Sequence, residues 1–478
     1  MDLHITFEGR RDLSGQIYRQ IRAAILDGRL RGEQALPPTR ELARRLEVSR
    51  NTVSVAYDRL MADGFLTGRV GAGTFVSHGL HPYQPESPPP AAGPLQPRAV
   101  WADIPEPPDL ATEPAYDFRA GTPDARLFPY QTWRRLMTHE LRPSAVRTGM
   151  PGAPAGHSDL RAAIARHIGV SRAVRATPDD VLVTNGIQQA IDMIARVLVE
   201  PGTCVAVENP GYPPVRRLFE SLNARVVGVP VDADGLVVDA IPAEARMVYV
   251  TPSHQFPLGT AMSLSRRIAL VAWAHRCGGV VIEDDYDSEF RYGGRPIEPL
   301  QNLDHTGRVL YVGSFSKTML PTLRLGFLVA PPSLRRPLRV ARFVSDWHTA
   351  LPSQAALARF IDDGTLARHL RKMRNEYRVR HERIAEILER DFGAWLDLVP
   401  SAAGLHLSAY SKDRTAGEIV DLVAAAAADG VVVYALSQFT REETERPGIM
   451  LGYGAIALGD IDEGLRRLRR CFLASSVR

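Results

Sequence analysis

Lysine is almost absent from this chain of 478 residues. Of its 58 lysine and arginine residues, only Lys317, Lys372 and Lys412 are lysines. An amine can form an imine or be made neutral by burial, and the guanidinium group of arginine can do neither. Lys372 and Lys412 lie in polar stretches and are expected to be solvated, whereas Lys317 follows an apolar run in "VGSFSKTML". The sequence therefore predicts a chemical role for Lys317.

Cysteine and long apolar runs are also scarce. Cys204, Cys277 and Cys471 lie far apart and form neither a CxxC pair nor a disulfide framework. The most apolar stretch, "IVDLVAAAAADGVVVYAL", is interrupted by Asp421 and Asp429, and the N-terminus has no signal-peptide pattern. These absences predict a cytoplasmic protein with no membrane partner and no metal site.

Composition and charge predict several globular domains without naming a partner. The chain is 45% hydrophobic and exceeds the length of one ordinary domain. A net charge of +4 and a pI near 9.0 are compatible with nucleic-acid binding but do not establish it. Proline is dense in residues 79–114, which predicts an extended linker between a head of residues 1–78 and a body of residues 115–478.

The head has the pattern of a winged helix-turn-helix. Isoleucines recur at helical spacing in "LSGQIYRQIRAAILDGRL", and two shorter helical patterns follow in "LPPTRELARRLEVSRNTVSVAYDRL". Ser49 is placed to cap the last of these helices. The segment "FLTGRVGAGTFV" then predicts two short strands around a glycine-rich turn. Three helices and a hairpin make a small α+β domain of the DNA-binding type.

Short polar and cationic side chains begin the second short helix, where a recognition helix needs them. An arginine in the preceding helix could hold a phosphate, and the hairpin tip could enter the flanking groove. The predicted contacts to double-stranded DNA are Arg40, Ser49, Arg50, Asn51, Thr52, Arg69, Gly71 and Gly73. The head has twelve arginines against nine acidic residues, so its charge alone is equally compatible with a helical subdomain whose arginines are solvated.

The body alternates short apolar runs with helical stretches. This order predicts an α/β domain with a mainly parallel sheet, in which ligands bind at the carboxyl ends of the strands. The tail, from "RHERIAEILERDFGAWLDLVP" onward, is typical of a smaller α+β subdomain.

Groups suited to pyridoxal phosphate follow several predicted strands. The cofactor needs an amine for its aldehyde, a carboxylate at the pyridine nitrogen, and amides and a cation at its phosphate. Lys317 supplies the amine, Asp284 the carboxylate, and Tyr286 a donor for the ring hydroxyl. The predicted phosphate ligands are Gly186, Ile187, Gln188, Ser314, Ser316 and Arg324, and Tyr212 is a candidate to stack on the ring. Each residue alone also has an ordinary structural explanation, but their joint occurrence indicates this cofactor.

Two resemblances extend this interpretation. Residues 12–77 resemble the winged-helix head of GntR-type regulators, and residues 116–478 resemble fold-type I aminotransferases through "YVTPSHQFPLGT", "VIEDDYDSEFRYGG" and "GSFSKTMLPTLRLGF". Together they resemble the MocR-type regulators. This resemblance implies Lys317 as the aldimine lysine, places His254 and Gln255 near the ring substituents, and implies a homodimer in which each head lies against the partner's body.

Two positions depart from the family pattern. Leu258 stands where a threonine is common. The arginine that binds a substrate carboxylate in aminotransferases is not identified, because Gln438 stands where a cation is expected. Arg216, Arg441 and Arg446 remain candidates for that role.

The main hypothesis is a DNA-binding transcriptional regulator that senses pyridoxal phosphate, or a small amine or amino acid, through an aldimine at Lys317. The alternative is an active pyridoxal-phosphate-dependent aminotransferase whose head only tethers it. A third interpretation is DNA binding with an empty body.

Overall fold

The structure is a computed structural model that describes residues 5–78, 96–106, 114–143, 152–293, 297–441 and 446–475. The chain divides into two compact units, Met1–Pro97 and Arg98–Arg478. The first contains the head and the second contains the body. The division falls inside the proline-rich segment, of which residues 79–95 and 107–113 lie outside the described residues.

The head is a winged helix-turn-helix, as the sequence predicts. Its elements are α1 (Leu13–Leu26), α2 (Thr39–Arg45), α3 (Arg50–Ala62), β1 (Leu66–Arg69) and β2 (Gly73–Val76). Helix α1 buries Ile17, Ile21 and Ile25 against the other two helices, which fits their helical spacing. The strands β1 and β2 pair antiparallel. Gly71 and Gly73 have positive φ angles at the turn between them, which favours glycine at both positions.

Part of the proline-rich segment is helical. Its composition predicts an extended chain throughout, but Val100–Asp103 forms a single turn, α4. These four residues contain no proline, so every backbone amide of the turn can donate. Arg98, just before it, donates a 2.8 Å hydrogen bond from Nη2 to the carbonyl oxygen of Ser221. This turn is therefore anchored on the body.

The body is built on a mainly parallel sheet. Its first elements are β3 (Tyr116–Asp117), α5 (Tyr130–Glu140), α6 (Ser158–Arg172), β4 (Val181–Thr184), α7 (Ile187–Leu198), β5 (Cys204–Asn209), α8 (Pro213–Ser221), β6 (Arg225–Asp232), β7 (Gly235–Leu236), β8 (Met247–Val250), α9 (Leu264–Cys277), β9 (Val280–Asp285), α10 (Leu300–Leu303), β10 (Val309–Ser314), β11 (Gly326–Val329), α11 (Pro332–Ser345) and α12 (Leu351–Asp362).

The strand order of the main sheet is β4-β11-β10-β9-β8-β5-β6-β7. Neighbours from β10 to β6 pair parallel, while β11 runs antiparallel to both β10 and β4. Strands β4, β5, β8, β9 and β10 therefore end at the same edge. Strands β4, β8 and β10 are buried along their whole length because helices cover both faces of the sheet.

A smaller α+β subdomain completes the body, as the sequence predicts. Its elements are α13 (Thr365–Phe392), β12 (Leu396–Leu398), β13 (His406–Ser411), α14 (Ala416–Ala428), β14 (Val431–Val432), β15 (Tyr434–Ala435), β16 (Gly448–Gly452) and α15 (Ile461–Ser475). Strands β12, β13, β16 and β15 form an antiparallel sheet. Strand β14 pairs parallel with β3, which ties the start of the body to its end. One continuous apolar core joins this subdomain to one face of the main sheet.

Within the part of the chain that the structure describes, no helix has the length and apolarity needed to cross a membrane.

Candidate functional site

The strand ends at the carboxyl edge of the main sheet surround a cavity of about 250 Å³. Most of the predicted cofactor residues line it, namely Ile187, Gln188, Tyr212, Asp284, Tyr286, Ser314, Ser316, Lys317 and Arg324. The sequence did not single out the other lining residues, which are Ala120, Gly121, Tyr249, Thr251, Phe256, Asp287, Pro321, Leu405 and His406. Residues distant in sequence thus meet at one place, where parallel sheets bind ligands.

Lys317 lies just beyond β10, with its amine inside the cavity wall. Its Nζ donates a 2.6 Å hydrogen bond to the carbonyl oxygen of Gly121. Burial lowers the pKa of Lys317, while the carboxylates of Asp287 and Asp284 raise it in opposition. The lowered pKa favours the neutral amine, which is the form that attacks an aldehyde. A Cβ on Gly121 would lie 2.6 Å from this Nζ, so a side chain at this position would force the amine of Lys317 to move.

Asp284 presents an unpaired carboxylate oxygen to the same cavity. Its Oδ2 accepts a 2.5 Å hydrogen bond from the hydroxyl of Tyr249, but its Oδ1 is buried without a partner among the described residues. Burial raises the pKa of Asp284 to about 7, against the opposing effect of the Tyr249 hydrogen bond. An unpaired buried acceptor costs about 1–3 kcal/mol. The N–H of a pyridinium ring would satisfy this oxygen and remove that cost, so the site fits pyridoxal phosphate.

The phosphate end of such a cofactor also finds suitable groups. Helix α7 begins at Gly186 without a side-chain cap, which leaves the amides of its first turn free for an anion. Arg324 lies beside this turn and donates a 2.6 Å hydrogen bond from Nη2 to the carbonyl oxygen of Asn185. A Cβ on Gly186 would lie 3.0 Å from that nitrogen. Glycine at position 186 therefore lets the guanidinium of Arg324 lie close to the start of helix α7.

The two serines of the motif adopt a local turn. The Oγ of Ser314 accepts a 2.9 Å hydrogen bond from the backbone N–H of Ser316. Both residues line the cavity, and this bond orients the segment that leads from β10 into Lys317.

Tyr286 and Tyr212 lie on the cavity wall as the sequence predicts. The hydroxyl of Tyr286 donates a 2.9 Å hydrogen bond to the carbonyl oxygen of His254. Tyr212 is 37% exposed and packs edge-on against Phe256, with 5.4 Å between the ring centroids. A ring that is held on one side and open on the other is suited to cover a flat ligand.

His254 and Gln255 lie behind the cavity wall and do not line it. The Nδ1 of His254 is 3.0 Å from Oδ2 of Asp287, and the side-chain amide of Gln255 donates to the carbonyl oxygens of Pro210 and Phe256. Their position supports the residues that do face the cavity.

Of the lining residues that the sequence did not single out, Asp287 and His406 carry a carboxyl and an imidazole group. Asp287 follows Tyr286 by one position in the motif "VIEDDYDSEFRYGG", so the motif itself could have indicated this residue. His406 begins β13 in the C-terminal subdomain, where "GLHLSAY" offers only the pattern of a strand. The ring centroids of His406 and His254 are 4.5 Å apart.

None of the three candidate arginines for a substrate carboxylate lines the cavity. Arg216 and Arg441 border a much smaller pocket behind Tyr212, and Arg446 stacks on Tyr410 with 3.8 Å between its Cζ and the ring centroid. Leu258 is buried in an apolar cluster with Val399, Leu436 and Met450.

The predicted DNA contacts lie on the head's recognition elements and are exposed, apart from the half-buried Thr52. The Oγ of Ser49 accepts a 3.1 Å hydrogen bond from the N–H of Thr52 and so caps α3, as predicted. Arg40, Arg50 and Asn51 are exposed, as are the hairpin residues Arg69, Gly71 and Gly73. Arg69 forms a 2.9 Å ion pair with Glu33. The helix start and the hairpin tip thus present the predicted groups to solvent, where a duplex could meet them.

Comparison with known proteins gives the same division. The family model for bacterial regulatory proteins of the gntR family matches residues 13–76, and the model for aminotransferases of class I and II matches residues 144–446. These two matches define the class: a DNA-binding regulatory head joined to a domain of the aminotransferase fold.

The relatives have this architecture from end to end. The chain is 37% identical to a probable rhizopine catabolism regulatory protein, MocR, of Rhizobium meliloti, over 96% of this chain and 93% of that protein. It is 32% identical to the pyridoxine biosynthesis regulator PdxR of Corynebacterium glutamicum, over 92% and 91%. The chain belongs to the MocR-type, GntR-headed transcriptional regulators.

Solved structures match the body. A kynurenine aminotransferase from Pyrococcus horikoshii aligns with a TM-score of 0.70 and 26% identity, covering 76% of this chain and 92% of that one. A multiple-substrate aminotransferase from Thermococcus profundus aligns with a TM-score of 0.71 and 26% identity, covering 77% and 93%. The protein is a DNA-binding regulator whose body binds pyridoxal phosphate.

Proposed function

We propose that this regulator holds pyridoxal phosphate covalently at Lys317 and that exchange of a small amine at this lysine alters the affinity of the head for DNA. The observation that carries the proposal is the pairing, in one cavity, of an amine with a lowered pKa and a buried carboxylate oxygen without a partner among the described residues. The bound cofactor would supply an electrophilic carbon. The protein would supply the amine, the anion at the ring nitrogen and the cation at the phosphate.

Each side chain has a defined task in this proposal. Lys317 forms the covalent bond, Asp284 holds the proton on the ring nitrogen, and Arg324 with the first turn of α7 binds the phosphate. Tyr286 donates to the ring hydroxyl and Tyr212 covers one ring face. Gly121 leaves room for the lysine, which supports the same assignment.

The head would read the operator through α3 and the hairpin tip. Arg50 and Asn51 reach the bases or their phosphates, Arg40 and Arg69 contact the backbone, and Ser49 orients α3. The exposure of these groups supports the assignment. We also propose that the protein acts as a cytoplasmic homodimer, as DNA readers of this type commonly bind paired half-sites.

One preparation tests the cofactor assignment. The purified full chain is mixed with pyridoxal phosphate, examined for the yellow imine absorbance, reduced with borohydride and mapped for a pyridoxyl group. The modified peptide should contain Lys317. Modification at Lys372 or Lys412 instead, or no modification, would overturn the assignment.

The same preparation tests regulation. Binding to the DNA upstream of its own gene is measured with and without cofactor, and with amines added. An Arg50→Ala variant should bind this DNA more weakly, while Arg29→Ala, which removes an exposed arginine paired with Asp27, should bind as the parent does. Equal DNA affinity of the Arg50 variant and the parent would contradict the assignment of DNA reading to the head.

An active aminotransferase remains the second candidate function, because the same cavity would serve it. Sustained turnover with amino donors and no DNA binding would favour it. Turnover and DNA binding are independent readouts, so the two functions can be separated.

A further inference from the structure

The charges that line the cavity leave an excess of negative charge once a cofactor is bound. Among the described lining residues, Lys317 and Arg324 are the cations and Asp284 and Asp287 the carboxylates. On the proposed function, Lys317 would hold the aldehyde, Arg324 would hold the phosphate and Asp284 would pair with the ring nitrogen. Asp287 is then the lining carboxylate that no cation of the described lining neutralises, and its Oδ2 lies 3.0 Å from the Nδ1 of His254.

The wall beyond the cofactor residues is backed by apolar side chains. Phe256 and Ala120 line the cavity and pack against the buried cluster of Leu258, Val399, Leu436 and Met450. A carboxylate directed at this wall would lose its hydration without gaining a partner, which costs several kcal/mol for a charged group.

Two of the nearby arginines are engaged elsewhere, and a third, Arg216, borders a separate small pocket. Arg119 precedes the lining residue Ala120, but it forms a 2.6 Å ion pair with Asp117. Arg441 donates from its backbone N–H to Oδ1 of Asn209 and from Nη1 to the carbonyl oxygen of Val226. Neither guanidinium lines the cavity.

Asp287 and His406 form the polar part of this wall. Asp287 is 2% exposed, and its Oδ2 is 3.0 Å from the Nδ1 of His254. The Nε2 of His406 is buried and has no partner among the described residues. Burial lowers the pKa of His406 well below its usual value, and the neighbouring His254 lowers it further. A neutral imidazole with a free nitrogen pairs with an uncharged hydroxyl, and a carboxylate accepts from one.

We infer that the amine which exchanges at Lys317 carries hydroxyl groups and no carboxylate, with Asp287 and His406 as its recognition residues. The inference rests on the proposed function, because it concerns the ligand of the same site. In the exchange, the nitrogen of the incoming primary amine bonds to the imine carbon and the bond from that carbon to Lys317 breaks. The two hydrogens of the incoming amino group pass as protons to the lysine nitrogen, which leaves as the free amine, so no oxidant or reductant is needed.

Matched pairs of amines test this inference on the full-length protein loaded with pyridoxal phosphate. The pairs are 4-amino-1-butanol with 4-aminobutyrate and ethanolamine with taurine, so that only the acidic group differs within a pair. The concentration that half-changes the imine absorbance is measured and corrected for the reaction of each amine with free cofactor. Each amino alcohol should act at a concentration at least ~10-fold lower than its acidic partner, since a like charge nearby disfavours an anion. 1,4-Diaminobutane is an added arm, and a stronger effect than 4-amino-1-butanol would assign Asp287 to a second ammonium and overturn the hydroxyl assignment.

The variant Asp287→Asn is the second test. It keeps the size of the side chain and removes its charge, so the preference within each pair should fall below ~3-fold in the protein that carries the imine. Equal or better action of the acids on the parent protein would overturn the inference, as would a lack of response to every amine. Absence of the imine absorbance before any amine is added would contradict the proposed function instead, so the two failures are distinguishable.

Discussion

The head and the body of this protein place their functional residues in opposite ways. In the head, the predicted contacts are mostly exposed and come from one short stretch of the sequence, from Arg40 to Gly73. In the body, the cavity residues are buried or half-buried apart from Tyr212 and Arg324, and they come from positions as far apart in the chain as Ala120 and His406. A surface that meets a rigid external duplex needs only local order. A pocket that changes the chemistry of an amine needs burial, which the whole fold must provide.

The largest expected effect is on the chemistry of the body. Lys317→Ala should abolish the imine absorbance completely, because no other amine lines the cavity among the described residues. Absorbance spectroscopy and mass spectrometry of the reduced protein measure it.

Lys372→Ala is the matched control, since Lys372 is exposed on α13, and it should leave the absorbance unchanged. An imine that survives in the Lys317 variant would mean that the body does not act through a buried amine at all.

A smaller effect is expected from a single methyl group beside that amine. Gly121→Ala places a Cβ 2.6 Å from Nζ of Lys317, at a φ of +74°. The lysine must move, and the affinity for pyridoxal phosphate should fall at least ~10-fold by titration of the imine absorbance.

Gly278→Ala is the control for backbone strain. Its φ is +67° and nothing lies within 4 Å of the added Cβ, so it carries the same conformational cost without the collision. If both variants lost affinity equally, strain and not the position of Lys317 would be the cause.

The sequence predicted the head more completely than the body, for a physical reason. The cap at Ser49 and the glycine turn of the hairpin are decided by neighbours in the chain, and both are confirmed. The positions of Asp284 and Lys317 at the cavity were predictable because Asp284 lies at the end of one apolar strand and Lys317 follows another. His406 was not, because only the packing of the C-terminal subdomain brings it to the cavity.

The interpretation of Asp287 illustrates the same limit. Its motif was visible, yet its distinct role depends on which charges remain unpaired around it, and this is a property of the assembled cavity. The single helical turn at Val100–Asp103 is a local exception, where a short proline-free segment anchored through Arg98 overrides the average composition.

In the head, a moderate effect is expected from one exposed charge. Arg50→Ala should reduce DNA affinity by about 10-fold and lower the slope of log K against log salt by about 1 if Arg50 contacts a phosphate. Electrophoretic shift or fluorescence anisotropy at several salt concentrations measures both.

The imine absorbance of this Arg50 variant should equal that of the parent, because the head and the cavity use separate residues. A loss of the imine in the Arg50 variant would contradict the view that the head and the cavity act through separate residues.

The last expected effect is a shift of a few degrees in melting temperature, which depends on pH. Burial raises the pKa of Asp284 from 3.8 to about 7 in the folded protein. The folded state therefore binds this proton more tightly than the unfolded state does. The stabilising contribution of the protonated carboxyl is complete below pH 4, declines as the pH rises, and is lost above pH 7, where ionising the group costs up to about 4 kcal/mol.

Asp284→Asn removes this ionisation while keeping an oxygen that can accept from Tyr249. Without cofactor at pH 8, the variant should melt about 3–6 °C above the parent, and the difference should vanish near pH 4. Comparison of the two proteins cancels the similar contributions of Glu283 and Glu289, whose pKa values burial raises to about 7 and about 8. With pyridoxal phosphate bound, the order should reverse, because the ring nitrogen then pairs with the ionised carboxylate and the amide cannot replace it. An unchanged order on adding cofactor would mean that Asp284 is a buried structural acid and not the partner of the ring.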